Sequence, residues 1–449
     1  MARNARRIPK FFFNRVFLIA WAVYFAADIW MVQPFRVISP EHYCIGYLLL
    51  ALISGIAALY AGAAWGVALL YPKAKRWFVF PAAFTIFDLI RVVCFYELTF
   101  PIPVLSFVWA GAPLISQSIA LLGREGLTFL TLLFAGAILA RRWNIVCAIA
   151  AGVISWGGYR LAQPEGRTAL NTRIAIISGE NTSLEFENNF AKTLELLQAQ
   201  GAEKIDLFIL PETAIKADLR YSSPYLDRLA AAVPDRADLI TGFEKLEYGA
   251  AGAYRLNSLA HIKNGRIAAQ YDKRMLSPYG EYIPKWLPFG GFITEAKEFA
   301  PGLGSKPILR VGQLAASPYI CYEVIFDSVH ETDADFIANI SSDGWFPPFG
   351  KLVHFIGVKY AAIAEGIPIV RAANRGISAV VSPYGRVIAR LDGFGVLDSY
   401  IPARIGRTLF SYTGNLLILA ICAALLWPWH KPPRARGKRL PESRKGAPQ

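Results

Sequence analysis

Apolar residues in this 449-residue chain are spread unevenly, and that unevenness limits its folds more than any other feature of the sequence. Residues 11–160 are mostly long apolar stretches. Residues 171–408 alternate short apolar runs with polar ones, and a last apolar stretch at 412–429 leads into a basic tail. Apolar runs of about 20 residues cross a bilayer as helices, so spans are predicted at 11–31, 46–71, 77–97, 120–140, 143–160 and 412–429. A mean hydropathy of +0.35 is too apolar for an ordinary soluble protein. The first stretch ends in Ala27-Asp28-Ile29-Trp30-Met31 without a small-residue cleavage site, so it reads as a retained anchor and not a cleaved signal.

Charge orients these spans. The net charge is +14, and much of the excess lies in Arg3, Arg6, Arg7, Lys10 and Arg15 at the front and in Lys431, Arg434, Arg436, Lys438, Arg439, Arg444 and Lys445 at the back. Both clusters flank apolar segments, the pattern of cytoplasmic Lys and Arg beside membrane helices, so the excess does not point to nucleic acid. Lys73, Lys75 and Arg76 mark a second cytoplasmic loop, and Arg141 with Arg142 a third. This alternation works only if 100–119 does not span. Pro101, Pro103 and Pro113 break that segment, which is expected as an irregular stretch at the outer face. Residues 161–411 then lie outside the cytoplasm. Four parts are expected: a transmembrane helix domain at 1–160, a catalytic domain at 161–411, a final transmembrane helix at 412–429 and a cytoplasmic tail at 430–449.

The outer region has the pattern of packed α/β layers. Runs rich in Val, Ile, Ala and Leu predict strands at 173–178, 205–210, 239–243, 258–262, 266–271, 313–320, 336–340, 367–372 and 377–382, covered on both faces. Helical periodicity at 184–200 stops at Gly201, a second helix at 354–365 stops at Gly366, and Asn264-Gly265 is a hairpin turn. Of five cysteines, Cys44, Cys94, Cys147 and Cys422 lie in or beside apolar segments; Cys321 alone belongs to the polar region, so no disulfide can form within it. No CxxC or His/Cys cluster suggests zinc, and no cofactor is implied.

Three chemically able residues end predicted strands in the same way: Glu212, Lys273 and Cys321. Ligands bind in the crevice beyond strand C-termini, so residues far apart in sequence can meet there. A thiol attacks carbonyl carbon as the thiolate, a carboxylate can take its proton, and an ammonium with backbone N–H groups near Tyr322 can stabilise the resulting oxyanion. Each feature alone has a plainer explanation: a helix-start acid, a surface lysine, an inert core thiol.

Together they are specific. Leu210-Pro211-Glu212-Thr213, Tyr271-Asp272-Lys273-Arg274 and Ile320-Cys321-Tyr322-Glu323 resemble the three signatures of the nitrilase (carbon–nitrogen hydrolase) superfamily, in order. The resemblance implies an α/β fold, a four-layer αββα sandwich, between N-terminal transmembrane helices and one C-terminal transmembrane helix. Pro278-Tyr279-Gly280-Glu281-Tyr282-Ile283-Pro284 is similar to the segment after the lysine in apolipoprotein N-acyltransferases, where the glutamate supports the lysine, so Glu281 inherits that role. Glu323 beside the nucleophile, Phe299-Ala300-Pro301-Gly302, Ser342-Asp343-Gly344-Trp345-Phe346, the Arg371-to-Ser378 segment and Gly123–130 resemble further stretches of that branch, with Tyr322 and Trp345 as supporting positions. The chain departs from it in Thr99-Phe100-Pro101-Ile102, in Ser342 for an Asn, and in Ala361 and Ala364 for an Arg and a Glu.

The resemblance implies a bacterial inner-membrane, multi-pass enzyme with its catalytic domain on the periplasmic side. Its partners would be a phospholipid acyl donor and a lipoprotein or other amine acceptor, linked by a Cys321 thioester. Two other readings stay open at this point. One is a membrane-tethered relative, such as a conjugation-associated one, that hydrolyses amides or uses a different acceptor. The other is a non-catalytic assembly protein on the same fold.

Overall fold

The computed structural model describes residues 14–32, 43–94, 105–176, 183–221, 223–250, 252–278, 280–285, 299–326, 334–344 and 346–427. The apolar N-terminal region forms helices α1 (Arg15–Val32), α2 (Tyr43–Leu69), α3 (Arg76–Cys94), the short α4 (Pro113–Ser116), α5 (Ile119–Leu139) and α6 (Trp143–Leu161). By length and composition, Leu50–Leu69 within α2 and all of α5 are long and apolar enough to cross a bilayer. Buried charges in these helices have partners: Arg91 lies 2.8 Å from Asp88, and Ser54 donates to Asp28 at 2.6 Å. Such pairing is what a low-dielectric surrounding demands.

The proline-broken segment behaves as its sequence predicts over its described part. It forms a 3-10 turn at Ser106–Trp109 and one helical turn in α4 before α5 begins. The stretch at 95–104 lies outside the described residues. Within α5, Gly123 departs from helical geometry (φ 71°, ψ −177°). The last apolar stretch is also divided, into α11 (Leu409–Thr413) and α12 (Leu416–Leu426), with Gly414 at positive φ between them.

Between these helices the chain folds into two six-stranded sheets. The first has the order β12-β1-β2-β3-β4-β5 and the second β11-β10-β9-β8-β7-β6. The strands are β1 (Arg167–Ile176), β2 (Leu207–Ile209), β3 (Asp238–Gly249), β4 (Gly252–Lys263), β5 (Arg266–Asp272), β6 (Leu309–Val311), β7 (Leu314–Ile320), β8 (Phe336–Ser342), β9 (Ile369–Asn374), β10 (Ile377–Val381), β11 (Val387–Asp392) and β12 (Gly395–Pro402). One core joins the two sheets: Ile174, Leu207, Ile209, Ile240 and Leu259 meet Ala316, Ile320, Phe336, Ile340, Val370 and Val380. The outer face of the first sheet packs on α7 (Ser183–Leu197) and α8 (Pro224–Ala232) through Phe190, Leu197, Phe208, Leu229 and Leu239. The outer face of the second packs on α9 (Glu323–Phe326) and α10 (Pro348–Glu365) through Tyr319, Ile337, Phe355, Val358 and Ile369. Helix, sheet, sheet, helix is the four-layer sandwich, and burial on both faces is why these strands read as continuous apolar runs.

All nine predicted strands are present. Three more were not foreseen: β6, β11 and β12. The second predicted helix begins earlier, at Pro348, because proline suits the first helical position, where no N–H is needed. It ends at Gly366 in the left-handed region (φ 70°), and Asn264-Gly265 makes the expected turn with both φ values positive.

The catalytic region sits on the membrane helices through α10. Tyr360, Ile363 and Ala364 pack with Ile119, Ala120, Leu127 and Phe410, and the Tyr360 hydroxyl donates to the Ser106 carbonyl at 3.0 Å. Ala364, where the resembling branch carries a charged residue, is therefore part of an apolar seam. Gln117 ties the same seam: its Nε2 donates to the Tyr384 carbonyl at 3.0 Å, and its Oε1 accepts from Arg160 Nε at 2.9 Å.

Candidate active site

Strand direction brings the site together. β1, β2 and β3 run parallel, and β5 shares the direction of β3 through two antiparallel steps. In the facing sheet β7, β8 and β9 run parallel. The residues just past β2, β5 and β7 are Glu212, Lys273 and Cys321, and all three are buried, at 5%, 1% and 7% exposure.

Lys273 Nζ lies 3.1 Å from Glu212 Oε1 and 2.8 Å from Glu281 Oε2. Asn257, on β4, bridges both carboxylates: its Nδ2 donates to Glu212 at 2.6 Å and to Glu281 at 2.7 Å. Glu281 also accepts from the Ser277 N–H at 2.8 Å. The result is a buried carboxylate–ammonium–carboxylate row. Burial works against the Lys273 ammonium, but Glu212 and Glu281 outweigh it and hold its pKa well above the usual lysine range. Burial raises the Glu212 pKa, and the Lys273 charge opposes the rise.

The backbone at the two strand ends is tightly turned. Thr213 and Cys321 both have positive φ, 48° and 59°, unusual for residues with a Cβ. Gly242 on β3 makes room for the first turn: a Cβ there would stand 2.5 Å from Thr213 N and 2.7 Å from Glu212 Cα. The Cys321 N–H donates to the Ile340 carbonyl at 2.6 Å, and Asn339 Nδ2 donates to the Cys321 carbonyl at 2.9 Å.

The Cys321 thiol faces Glu212 and Lys273. Burial pushes it up to about 12; Glu212 adds to the rise and Lys273 opposes it. Burial thus favours the thiol form of Cys321 over the thiolate. The Tyr322 ring lies 5.4 Å from Lys273 Nζ, and its hydroxyl donates to the Leu276 carbonyl. Glu323 is a brace. Its Oε1 accepts from the Arg274 N–H, the Met275 N–H and the Tyr271 hydroxyl at 2.8, 3.1 and 2.9 Å, and its Oε2 accepts from the Ile320 N–H at 2.9 Å. It thus joins the loop after Lys273 to the strand before Cys321. Trp345 lies outside the described residues. Asn257 escaped sequence reading, because one amide inside a strand carries no pattern. No group of His, Cys, Asp and Glu among the described residues could hold a metal ion.

Residues 173–403 match the carbon–nitrogen hydrolase family, and the chain belongs to it. A mutant of the amidase from Nesterenkonia sp. AN1, with an acetamide moiety on its active-site cysteine, is 19% identical, with a TM-score of 0.40, over 53% of this chain and 92% of that one. Within the family the chain falls in the apolipoprotein N-acyltransferase branch, whose N-terminal domain matches residues 1–137. The apolipoprotein N-acyltransferase of Rhodopseudomonas palustris is 30% identical over 363 residues, 71% of this chain and 67% of that one. That of Agrobacterium fabrum is 28% identical over 436 residues, 86% and 80% of the two chains.

Proposed function

We propose that this chain is a membrane N-acyltransferase that moves an acyl chain from a phospholipid ester to the N-terminal amine of an apolipoprotein, through a thioester on Cys321. The observation that carries the reading is the buried row Glu212–Lys273–Glu281 with the buried Cys321, gathered at the ends of β2, β5 and β7. The names of the relatives supply the acyl group and the apolipoprotein acceptor; the phospholipid donor is what the sequence resemblance implies.

The first half-reaction begins with Cys321 attacking the ester carbonyl while Glu212 takes the thiol proton. A C–S bond forms and the carbonyl oxygen becomes an oxyanion. An ammonium has three N–H donors; Glu212 and Glu281 engage two of those on Lys273, and the third serves the oxyanion together with the Tyr322 N–H. Collapse breaks the ester C–O bond, and the lysophospholipid oxygen leaves with the proton held by Glu212. In the second half-reaction the amine attacks the thioester and gives a proton to Glu212. The C–N bond forms, the C–S bond breaks, and the sulfur is reprotonated. Glu281 and Asn257 keep Lys273 and Glu212 aligned through both halves, and Glu323 fixes the nucleophile strand.

Residues 1–160 form the membrane domain with five spans, 161–411 the periplasmic catalytic domain, 412–429 a sixth span and 430–449 a cytoplasmic tail. Both substrates are lipids of the outer leaflet, so a site resting on the outer ends of α5 and α6 meets them there.

The test is a labelled-phospholipid assay on the full chain in proteoliposomes. The expected result is a thioester on Cys321, absent in Cys321→Ala, that discharges onto the amine of an added diacylated lipopeptide. Discharge to water alone would make the chain a hydrolase, and no label on Cys321 would overturn the reading altogether.

A further inference from the structure

The nucleophile strand has a polar neighbour with no part in the mechanism above. β8 runs parallel to β7 with Ile340 opposite Ile320, so the next residue, Ser341, comes alongside Cys321. The register is fixed by the Cys321 N–H to Ile340 bond and by Asn339, whose Nδ2 also reaches the Tyr319 carbonyl at 3.3 Å. Ser341 is fully buried, and its hydroxyl acts on the Cys321 side chain to lower the thiol's pKa. Behind it, Ser341 Oγ lies 2.9 Å from Asp343 Oδ1 and 3.2 Å from Arg371 Nη2.

We propose that Ser341 is a positioning residue for the Cys321 sulfur: a hydroxyl that turns from Asp343 to the sulfur whenever the sulfur becomes anionic. The inference rests on the reading of Cys321 as the nucleophile.

The donor count sets the direction of each bond. A hydroxyl has one proton and two acceptor lone pairs, a guanidinium can only donate, and an ionised carboxylate can only accept. At rest the Ser341 proton therefore points to Asp343, Arg371 donates to one lone pair, and the other faces the Cys321 S–H. Asp343 is ionised: burial alone would raise its pKa, but Arg371 and His354 hold it well below the usual carboxylate range. When the sulfur loses its proton it needs a donor, and one rotation about the Ser341 Cβ–Oγ bond supplies it. Asp343 is not stranded by this, because it keeps Arg371 Nη2 at 2.9 and 2.8 Å and His354 Nδ1 at 2.9 Å. The rotor matters most when the thioester breaks and the sulfur departs as thiolate.

The charged and titratable groups facing Cys321 are Glu212, Lys273 and Asp343, with Tyr322 next in the chain. Behind Asp343 stand Arg371 and His354; burial keeps His354 neutral, its pKa lowered further by Arg371. Among these described groups, Ser341 and Lys273 can donate a hydrogen bond to the sulfur without being anions.

The test is alkylation of the full chain in detergent by iodoacetamide, with no lipid present, read at Cys321 by peptide mass spectrometry because four other cysteines are available. Below a thiol's pKa the rate follows the thiolate fraction. A hydrogen bond to a charged group is worth enough to move that pKa by about one unit. Ser341→Ala should therefore react about ten-fold more slowly at about pH 8, while Ser341→Thr, which keeps the hydroxyl, should stay within about two-fold of the parent. Equal rates for the Ala variant and the parent would overturn the proposal. So would a Thr variant as slow as Ala, since that would make Ser341 a matter of packing. Iodoacetamide needs no acyl donor, so a parent chain that never forms a thioester would sink the proposed function while leaving this comparison readable.

Discussion

Lys273 sits between two carboxylates with almost no access to water, so its removal should cost more than a hydrogen bond. In Lys273→Met, Glu212 and Glu281 keep only Asn257 between them. Breaking one side of a buried ion pair costs about 3–5 kcal/mol, because the remaining charge is uncompensated. The pH dependence fixes the cause. Burial and the Glu281 charge raise the Glu212 pKa above the unfolded value of about 4.3, and losing the Lys273 charge that opposes them raises it further. A group whose folded pKa is raised contributes stability that is present below the unfolded pKa and lost as pH rises through the folded one. The melting deficit of Lys273→Met should thus be greatest at about pH 8 and shrink toward about pH 5. A deficit constant across that range would mean that the loss is packing and not charge. Much of this site was legible in the sequence, because Glu212, Lys273 and Cys321 each close an apolar run and so declare a strand end. Asn257 was not, since what makes it matter is which two strands flank β4. Nor was Ser341: its neighbour Cys321 is set by parallel register, which no local pattern encodes.

Among the elements, the turn after β2 bears close backbone packing at the site. Gly242 on β3 lies against Pro211, Glu212 and Thr213, and a Cβ there would come within 2.5–2.7 Å of backbone atoms only. Backbone cannot rotate aside as a side-chain tip can, so Gly242→Ala must push β3 from the Glu212 turn, at an overpacking cost of about 1–3 kcal/mol. Transfer should fall at least about ten-fold, since displacement of a catalytic group by about 1 Å can cost more. The matched control is Gly152→Ala in α6, where an added Cβ meets nothing within 4 Å and helix propensity favours alanine. Acyl-transfer rates and melting temperatures of the two variants check this, and equal behaviour would refute it. The same physics explains which strands sequence reading found. Strands such as β2, β7 and β8, buried on both faces, are dominated by apolar residues, with Ser317 and Asn339 as isolated polar positions inside them. β11 mixes exposed and half-buried residues and β12 is mostly half-buried, both at sheet edges, and β6 has only three residues, too few to show a period.

At the scale of the whole molecule, the catalytic sandwich and the membrane helices meet through a seam that is both apolar and directional. Ile119, Leu127, Tyr360, Ile363 and Phe410 give it adhesion, while Gln117 and Tyr360 supply fixed bonds to Tyr384 and Ser106. Arg160 stacks beside Trp156 and Tyr384, 5.9 and 5.4 Å from their ring centres, on the same side. The seam lies at the start of α5 and the end of α6, whose other ends meet at Arg141 and Arg142. On the proposed topology, with α5 and α6 both spanning, the two helices carry the sandwich at one membrane face and a pair of arginines at the other. Basic loops stay in the cytoplasm, so that topology puts the sandwich outside. Tyr248, 78% exposed on the β3–β4 hairpin, reports on that face, and the exposed Lys73 reports on the other. In a background with Cys44, Cys94 and Cys147 changed to serine, Tyr248→Cys should be labelled by a membrane-impermeant maleimide in intact spheroplasts, and Lys73→Cys only after lysis. Labelling in the reverse order would put Cys321 on the cytoplasmic side. It would also break the argument from outer-leaflet substrates, because an acyl chain drawn from the inner leaflet could not meet an acceptor presented outside.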